Sequence, residues 1–118
     1  MIINDVFLAK DILKSISEKR NLPTRVAYKL CYMLEKLDIT LKFLETKRME
    51  IFEEYGTHEG DNIVIPNEKI PEANKKYEEL LNLEVEDAPN KVDISLDVDL
   101  DISPSEIKLL EPFINFVE

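Results

Sequence analysis

The sequence has no tryptophan, two glycines, one histidine and one cysteine among its 118 residues. One cysteine excludes an internal disulfide, and a zinc site needs more cysteine and histidine than this. Cys31 lies in a helical apolar pattern, which predicts a buried side chain. No glycine-rich phosphate loop or serine nucleophile elbow is present. A sugar-binding pocket around two carboxylates is also disfavoured by this composition. We therefore expect no enzyme activity, no cofactor and no metal.

Long apolar runs are missing as well. No segment approaches the ~18 apolar residues of a membrane span. Residues 1–5 lack the basic region and apolar stretch of a secretory signal, so we expect neither secretion nor a membrane partner. A chain of 118 residues with 44% apolar content is sufficient for a single domain, 1–118, with its own core.

Charge is distributed unevenly along the chain. Residues 1–56 carry ten basic and nine acidic side chains, whereas residues 57–118 carry five basic and sixteen acidic ones. The acidic half disfavours direct contact with nucleic acid. It is typical either of a surface kept soluble by its charge or of one that attracts a basic partner.

Apolar periodicity predicts a helical hairpin over residues 4–55. The first helix repeats an apolar residue every three or four positions, at Val6, Ala9, Leu13 and Ile16. Pro23 suits the first position of a second helix with a heptad seam that runs to about Tyr55. A short connection makes the two helices antiparallel neighbours. The segment Asp38-Ile39-Thr40 has low helix propensity, which leaves a local break open.

A second apolar stripe lies opposite that seam, at Tyr28, Tyr32, Ile39 and Phe43. Arg25, Lys29 and Lys36 interleave with the two tyrosines on this side of the helix. The tyrosines could pack under a sheet with lysine stems covering them, form a protein interface, or clamp single-stranded nucleic acid. The net charge of −10 argues against nucleic acid. Arg25, Tyr28, Tyr32 and Phe43 are therefore candidate protein-binding residues.

The second half of the chain predicts shorter elements. We expect a turn and short strand at 56–66, a third helix at 70–82, strands within 83–102 and a C-terminal helix at 104–117. Ser103-Pro104-Ser105-Glu106 is a capping box that begins the last helix. The predicted fold is α+β and predominantly helical: a long antiparallel helical hairpin, a third helix, a small antiparallel sheet and a C-terminal helix.

The clearest predicted strand, 92–102, alternates aliphatic and acidic residues. Period two places the aliphatics on one face and Asp93, Asp97, Asp99 and Asp101 on the other. The spacing of the last three resembles the start of a calcium loop, but Ile102 replaces the required glycine. This aspartate ladder is either a solvated strand face or an acidic protein-binding surface that mimics a phosphate backbone.

Several segments also carry a family resemblance. They are Leu22-Pro23-Thr24-Arg25-Val26-Ala27-Tyr28-Lys29-Leu30, Glu54-Tyr55-Gly56, Lys76-Tyr77-Glu78-Glu79-Leu80-Leu81, Ile102-Ser103-Pro104 and Leu110-Glu111-Pro112-Phe113-Ile114. In this order they resemble a family of small tailed-phage and prophage proteins of Gram-positive bacteria with no assigned function. The resemblance spans nearly the whole chain. It implies a phage origin, a location in the host cytoplasm or the virion, and no catalytic residues to carry over.

Residues and resemblance together predict a non-catalytic accessory protein that binds another protein. The partner would be a phage structural protein, a host protein or a second copy of the chain. The alternative is an acidic inhibitor of a host nuclease or an anti-phage defence complex, with the aspartate ladder as a nucleic-acid mimic.

Overall fold

The computed structural model describes residues 1–118, and the predicted α+β, mostly helical class is confirmed. The helices are α1 (Ile3–Ser17), α2 (Thr24–Tyr55), α3 (Ile70–Leu81) and α4 (Pro104–Leu110). The strands are β1 (Thr57–Glu59), β2 (Asn62–Val64), β3 (Val92–Ser95) and β4 (Ile114–Val117). None of the helices combines the length and the apolar content that crossing a membrane requires.

The core lies between α1, α2 and the C-terminal part of the chain. The four periodic residues of α1 (Val6, Ala9, Leu13 and Ile16) are fully buried, as their spacing predicts. They pack with residues of α2, β3, α4 and β4 in one cluster. A smaller cluster joins Ile3 of α1, Leu44 of α2 and Leu80 of α3. Helix α1 is therefore covered along its apolar face.

Helix α2 is the longest element, with 32 residues, and it continues unbroken through Ile39. Its buried face consists of Leu30, Met33, Leu37 and Leu44. The helix ends at Gly56, where an added Cβ would clash with Ile63 Cγ2 and with the backbone oxygen of Phe52. Only glycine therefore allows β2 to approach the end of α2 this closely.

The expectation of one small antiparallel sheet is wrong, because the strands form two separate pairs. Strands β1 and β2 form an antiparallel hairpin whose turn uses Gly60 with a φ of 63°. Strands β3 and β4 pair in parallel, with Val92 opposite Ile114, and the connection between them contains α4. The strand expected near residues 83–86 is reduced to a single bridge between Ile2 and Glu84.

The expectation of a C-terminal helix over 104–117 is also wrong beyond Leu110. The helix begins with the predicted capping box, in which the backbone N–H of Glu106 donates to Ser103 Oγ at 3.2 Å. Pro112 then ends it, because proline lacks the N–H for the helical hydrogen bond and its ring clashes with the preceding turn. The β-branched and aromatic residues that follow form β4 instead.

Candidate interaction surface

A row of large apolar side chains lies on α2 opposite its buried face. Tyr28, Tyr32, Ile39 and Phe43 are 63%, 55%, 72% and 44% exposed, and we call this row the α2 stripe. The interpretation in which the tyrosines pack under a sheet is wrong, because both rings face solvent. An aromatic side chain has about 150–250 Å² of surface, so the exposed parts of these four side chains add up to roughly 400 Å². This area is comparable to the largest apolar patch of a typical monomer.

The core explains why these residues are left outside. Successive residues of an α-helix are about 100° apart, so Ile39 lies on nearly the opposite side from Leu37. Leu37 is 2% exposed and belongs to the main core cluster. Because the buried face of α2 is already filled, rotating the helix to bury the stripe would expose its core residues.

The two tyrosines of the stripe form a preassembled pair. Their ring centroids are 5.0 Å apart and their planes meet at 64°, which is the favourable edge-on arrangement. The side chain of Tyr28 raises the pKa of Tyr32, and partial desolvation and the charge of Glu35 act in the same direction. The pair thus presents two rings in edge-on contact, and the raised pKa keeps the hydroxyl of Tyr32 protonated near neutral pH.

The N-terminal end of the stripe is basic, despite the overall negative charge. The segment 89–92 lies beside the tyrosines and encloses a hollow of about 330 Å³. Lys36 Nζ is 3.6 Å from Asp87 Oδ2, whereas Arg25 and Lys29 take part in no ion pair. The polar side chains that border the hollow include Lys29, Lys36, Asn90 and Lys91.

The C-terminal end of the same face is acidic. Lys47 Nζ lies 5.8 Å above the ring of Phe43 and 3.1 Å from Glu50 Oε2. Beyond it, four glutamates border a second hollow, at Glu45, Glu50, Glu53 and Glu54. Each of these glutamates has a partner in the same chain, which is Arg48, Lys47, His58 or Lys76. The exposed face of α2 therefore carries unpaired basic side chains near its start and paired glutamates near its end, with the apolar stripe in its N-terminal and central parts.

The aspartate ladder does not form, so that expectation is wrong. Strand β3 ends at Ser95, and the chain then turns. The backbone N–H of Asp97 donates to Ser95 Oγ at 3.1 Å, and that of Asp101 donates to Asp99 Oδ1 at 2.9 Å. Asp101 also has a φ of 51°, which no strand residue adopts. Aspartate favours such turns because its side chain bonds nearby backbone groups.

The four aspartates are therefore divided between two places. Asp93 remains on β3, where Asn115 Nδ2 donates to its Oδ1 at 3.1 Å. Asp97, Asp99 and Asp101 border an open hollow of about 590 Å³. The rest of its wall consists of the aliphatic residues next to them in the chain, Ile107 of α4 and Phe116 of β4. No group of three His, Cys, Asp or Glu side chains is arranged to hold a metal ion.

Cys31 is exposed, so the expectation of a buried thiol is wrong. It borders a groove of about 630 Å³ between α1 and α2, with Leu34 and Leu41 of α2 on its wall. One residue after the buried Leu30, Cys31 is turned by about 100° away from the core. Periodicity places it beside the apolar face but does not place it inside.

Sequence reasoning missed Lys91 and the acidic end of α2 as parts of this surface. Lys91 joins the hollow through a contact between segments that are distant in the chain, which no local pattern predicts. The order of charges along α2 was the one available signal for the glutamates. No protein-family model, curated protein or solved structure matches this chain.

Proposed function

We propose that this chain is a non-catalytic, phage-encoded accessory protein that binds another protein through the α2 stripe. The observation that carries the proposal is the exposure of four large apolar side chains in one row of a long helix. Single exposed hydrophobics are ordinary, whereas four in one row of a helix make a patch of the size that is often functional on a monomer. Tyrosine and arginine, both present here, are the residues enriched at the energetic centres of interfaces.

In this proposal α1 and α2 form an antiparallel helical hairpin that holds the stripe rigid. The clustering of Ile3 with Leu44, and of Ile16 with Leu30, supports that direction of packing. A surface fixed in place by the core costs little conformational entropy when it binds.

A protein partner fits the charges better than nucleic acid does. The net charge of −10 repels a phosphate backbone, whereas the local basic end near Arg25 and Lys29 suits acidic side chains of a partner. The resemblance to small tailed-phage proteins supports a role in the virion, in its assembly or in the infected cell. The acidic-inhibitor function lacks a geometric basis here, because the aspartates form no ladder.

The test is capture of partners from infected or lysogenic cells with the tagged chain, followed by mass spectrometry. Wild type is compared with Tyr32→Ala/Ile39→Asp, and with Leu96→Asp as a matched control. Leu96 is 60% exposed but lies outside the stripe, in the turn after β3. We expect phage proteins to be captured by wild type and by the control, and to be lost from the stripe variant.

Retention of the same partners by the stripe variant would show that they bind elsewhere. A captured host nuclease that is lost only when Asp97, Asp99 and Asp101 are changed to asparagine would instead establish the inhibitor function.

A further inference from the structure

The hollow of about 330 Å³ between the tyrosine pair and the segment 89–92 has basic side chains in its wall and no acidic one. Lys29 and Lys36 come from α2, and Lys91 is the residue before β3. The chain as a whole has 25 acidic and 15 basic residues, so a wall of this composition is opposite to its average. We call this feature the basic hollow.

Most of the cations here have no carboxylate partner in the chain. Lys29 and Lys91 take part in no ion pair. The same holds for Arg25, which lies one turn before Lys29 on the same side of α2. Lys36 is the exception, with its Nζ 3.6 Å from Asp87 Oδ2. Three cations are therefore free to meet carboxylates of another molecule.

Two other acidic residues lie close to the basic hollow in the chain but are directed elsewhere. Asp93 follows Lys91 by two positions, and its carboxylate accepts a hydrogen bond from Asn115 of β4. Glu35 precedes Lys36, and it borders the groove between α1 and α2. Neither carboxylate closes the basic hollow to an anionic ligand.

Strand β3 has an open edge. It pairs with β4 alone, and the N–H of Val92 donates to the backbone oxygen of Phe113 at 2.9 Å. Backbone groups of successive strand residues point to opposite sides in the plane of the sheet, so those of Asp93 and Ser95 point away from β4. The N–H groups of Asp93 and Ser95 have no partner strand, and such an edge is a template for a further strand.

The open edge of β3 lies on the same side as the tyrosine pair. Strand β3 packs against α2, whereas α4, which leads into β4, packs against α1. The edge that β4 leaves open is therefore the one on the side of α2. Val92, the first residue of β3, borders the basic hollow together with Tyr28 and Tyr32. An extended segment along this edge would run past the tyrosine rings.

We propose that an extended acidic segment of a partner protein binds in the basic hollow and pairs with the open edge of β3. This inference rests on the proposed function, since it names the chemistry of the partner at the N-terminal end of the α2 stripe. Strand addition supplies affinity through main-chain hydrogen bonds and specificity through alternate side chains. Carboxylates of the segment meet Lys29 and Lys91, and its side chains on the side of α2 contact the tyrosine rings.

A protein segment fits this surface better than nucleic acid does. One carboxylate on every second residue of an extended chain gives one negative charge per roughly 7 Å, about half the charge density of a nucleic-acid strand. Such a segment is repelled less by the net charge of −10. Because exposed charges more than about 8 Å away are screened at physiological ionic strength, the nearby cations decide the interaction. A nucleic-acid strand also has no backbone amides that could pair with β3.

The first experiment follows the amide NMR signals of the isotope-labelled chain during titration with a capped peptide of about eight residues, in which glutamate and valine alternate. We expect the signals of Asp93 and Ser95 to shift. Their amide protons should exchange with solvent at least about tenfold more slowly, because they then donate to the peptide.

Two further probes complete this titration. A peptide with lysine in place of glutamate should leave the same signals unchanged. Absence of any shift up to about millimolar acidic peptide, or equal shifts with both peptides, would overturn the inference. Tighter binding of a single-stranded DNA oligonucleotide at the same residues would overturn it in favour of nucleic acid.

Charge reversal tests the contribution of the basic hollow. Lys29→Glu/Lys91→Glu should raise the dissociation constant of the acidic peptide by at least about tenfold, because two attractive contacts become repulsive. Lys108→Glu, on α4, is the charge control and should bind the peptide as wild type does. An equal loss of affinity in both proteins would show that net charge, and not this surface, governs binding.

A proline on the open edge tests strand addition. Asp93→Pro removes an N–H that faces away from β4, so the fold should persist, which circular dichroism checks. The acidic peptide should bind this variant at least about tenfold more weakly than Asp93→Asn, which loses the same charge but keeps the N–H. Independently of any variant, an acidic peptide methylated at every backbone nitrogen should not bind wild type. Full binding of the methylated peptide would refute pairing with β3.

The capture experiment separates this inference from the proposed function. If phage proteins are lost from the stripe variant but retained by Lys29→Glu/Lys91→Glu, the proposed function stands and this inference fails. Loss from both variants, with retention by Lys108→Glu, supports both. If the stripe variant keeps every partner, the proposed function fails, and the peptide titration still decides whether the basic hollow binds an acidic segment.

Discussion

The rotation of α2 about its own axis decides which of its two apolar faces is buried. It can be tested by comparing the stabilities of Leu37→Ala and Ile39→Ala. The two residues are two positions apart on one helix, but their side chains are 2% and 72% exposed. Removing buried leucine atoms from the core should lower the free energy of unfolding by about 2–5 kcal/mol. Removing exposed isoleucine atoms should change it by less than about 0.5 kcal/mol, because alanine has the higher helix propensity and little contact is lost.

The assay is urea unfolding followed by circular dichroism at a protein concentration low enough to hold the chain monomeric. Thermal unfolding gives a second readout: a loss of about 3 kcal/mol should lower the Tm of a chain of this size by roughly 10 °C.

Equal losses of unfolding free energy in the two variants would refute the reasoning. Such a result would place Ile39 in the core and give α2 a different rotation. The stripe would then not lie on the surface, and the protein-binding proposal would lose its basis.

Other substitutions test local features of the fold and the site. Gly56→Ala should cost about 1–3 kcal/mol in urea unfolding, because its Cβ would displace Ile63 at the close approach of β2 to α2. Ser103→Ala should cost about 1 kcal/mol by the same assay, since its hydroxyl caps α4. Tyr28→Phe removes the hydroxyl that raises the pKa of Tyr32. The pKa of Tyr32, followed by NMR of its ring, should fall toward the ordinary tyrosine value.

The helices were predictable because their signal is local. The spacing of apolar residues in α1 is set by 3.6 residues per turn, and each residue so identified is buried. In α2 the same period yields two apolar faces, one with Leu37 and one with Ile39. Period alone cannot decide which face meets the core, since that depends on where α1 and the C-terminal segments pack.

The strands were harder because pairing is not local. The alternation in 92–102 correctly indicates which side of the chain faces the core at Val92, Ile94 and Leu100, all of them buried. It does not indicate that β3 pairs in parallel with β4, a segment expected to be helical. Pro112 was the available sign of that error, because a proline inside a helical pattern kinks or ends the helix.

The uneven charge of the chain has different consequences in its two halves. In the acidic half, carboxylates such as that of Asp99 accept hydrogen bonds from nearby backbone and shape turns, which accounts for them without a partner. In α2 the charged residues at the helix ends oppose the macrodipole, and Arg25 gains nothing from its own chain. A charged side chain that stabilises a local turn requires no partner molecule. A charged side chain that opposes the helix dipole and has no ion pair in its own chain is better explained by a binding partner. The unpaired basic side chains near the start of α2 therefore say more about binding than the large excess of acidic charge in the second half of the chain.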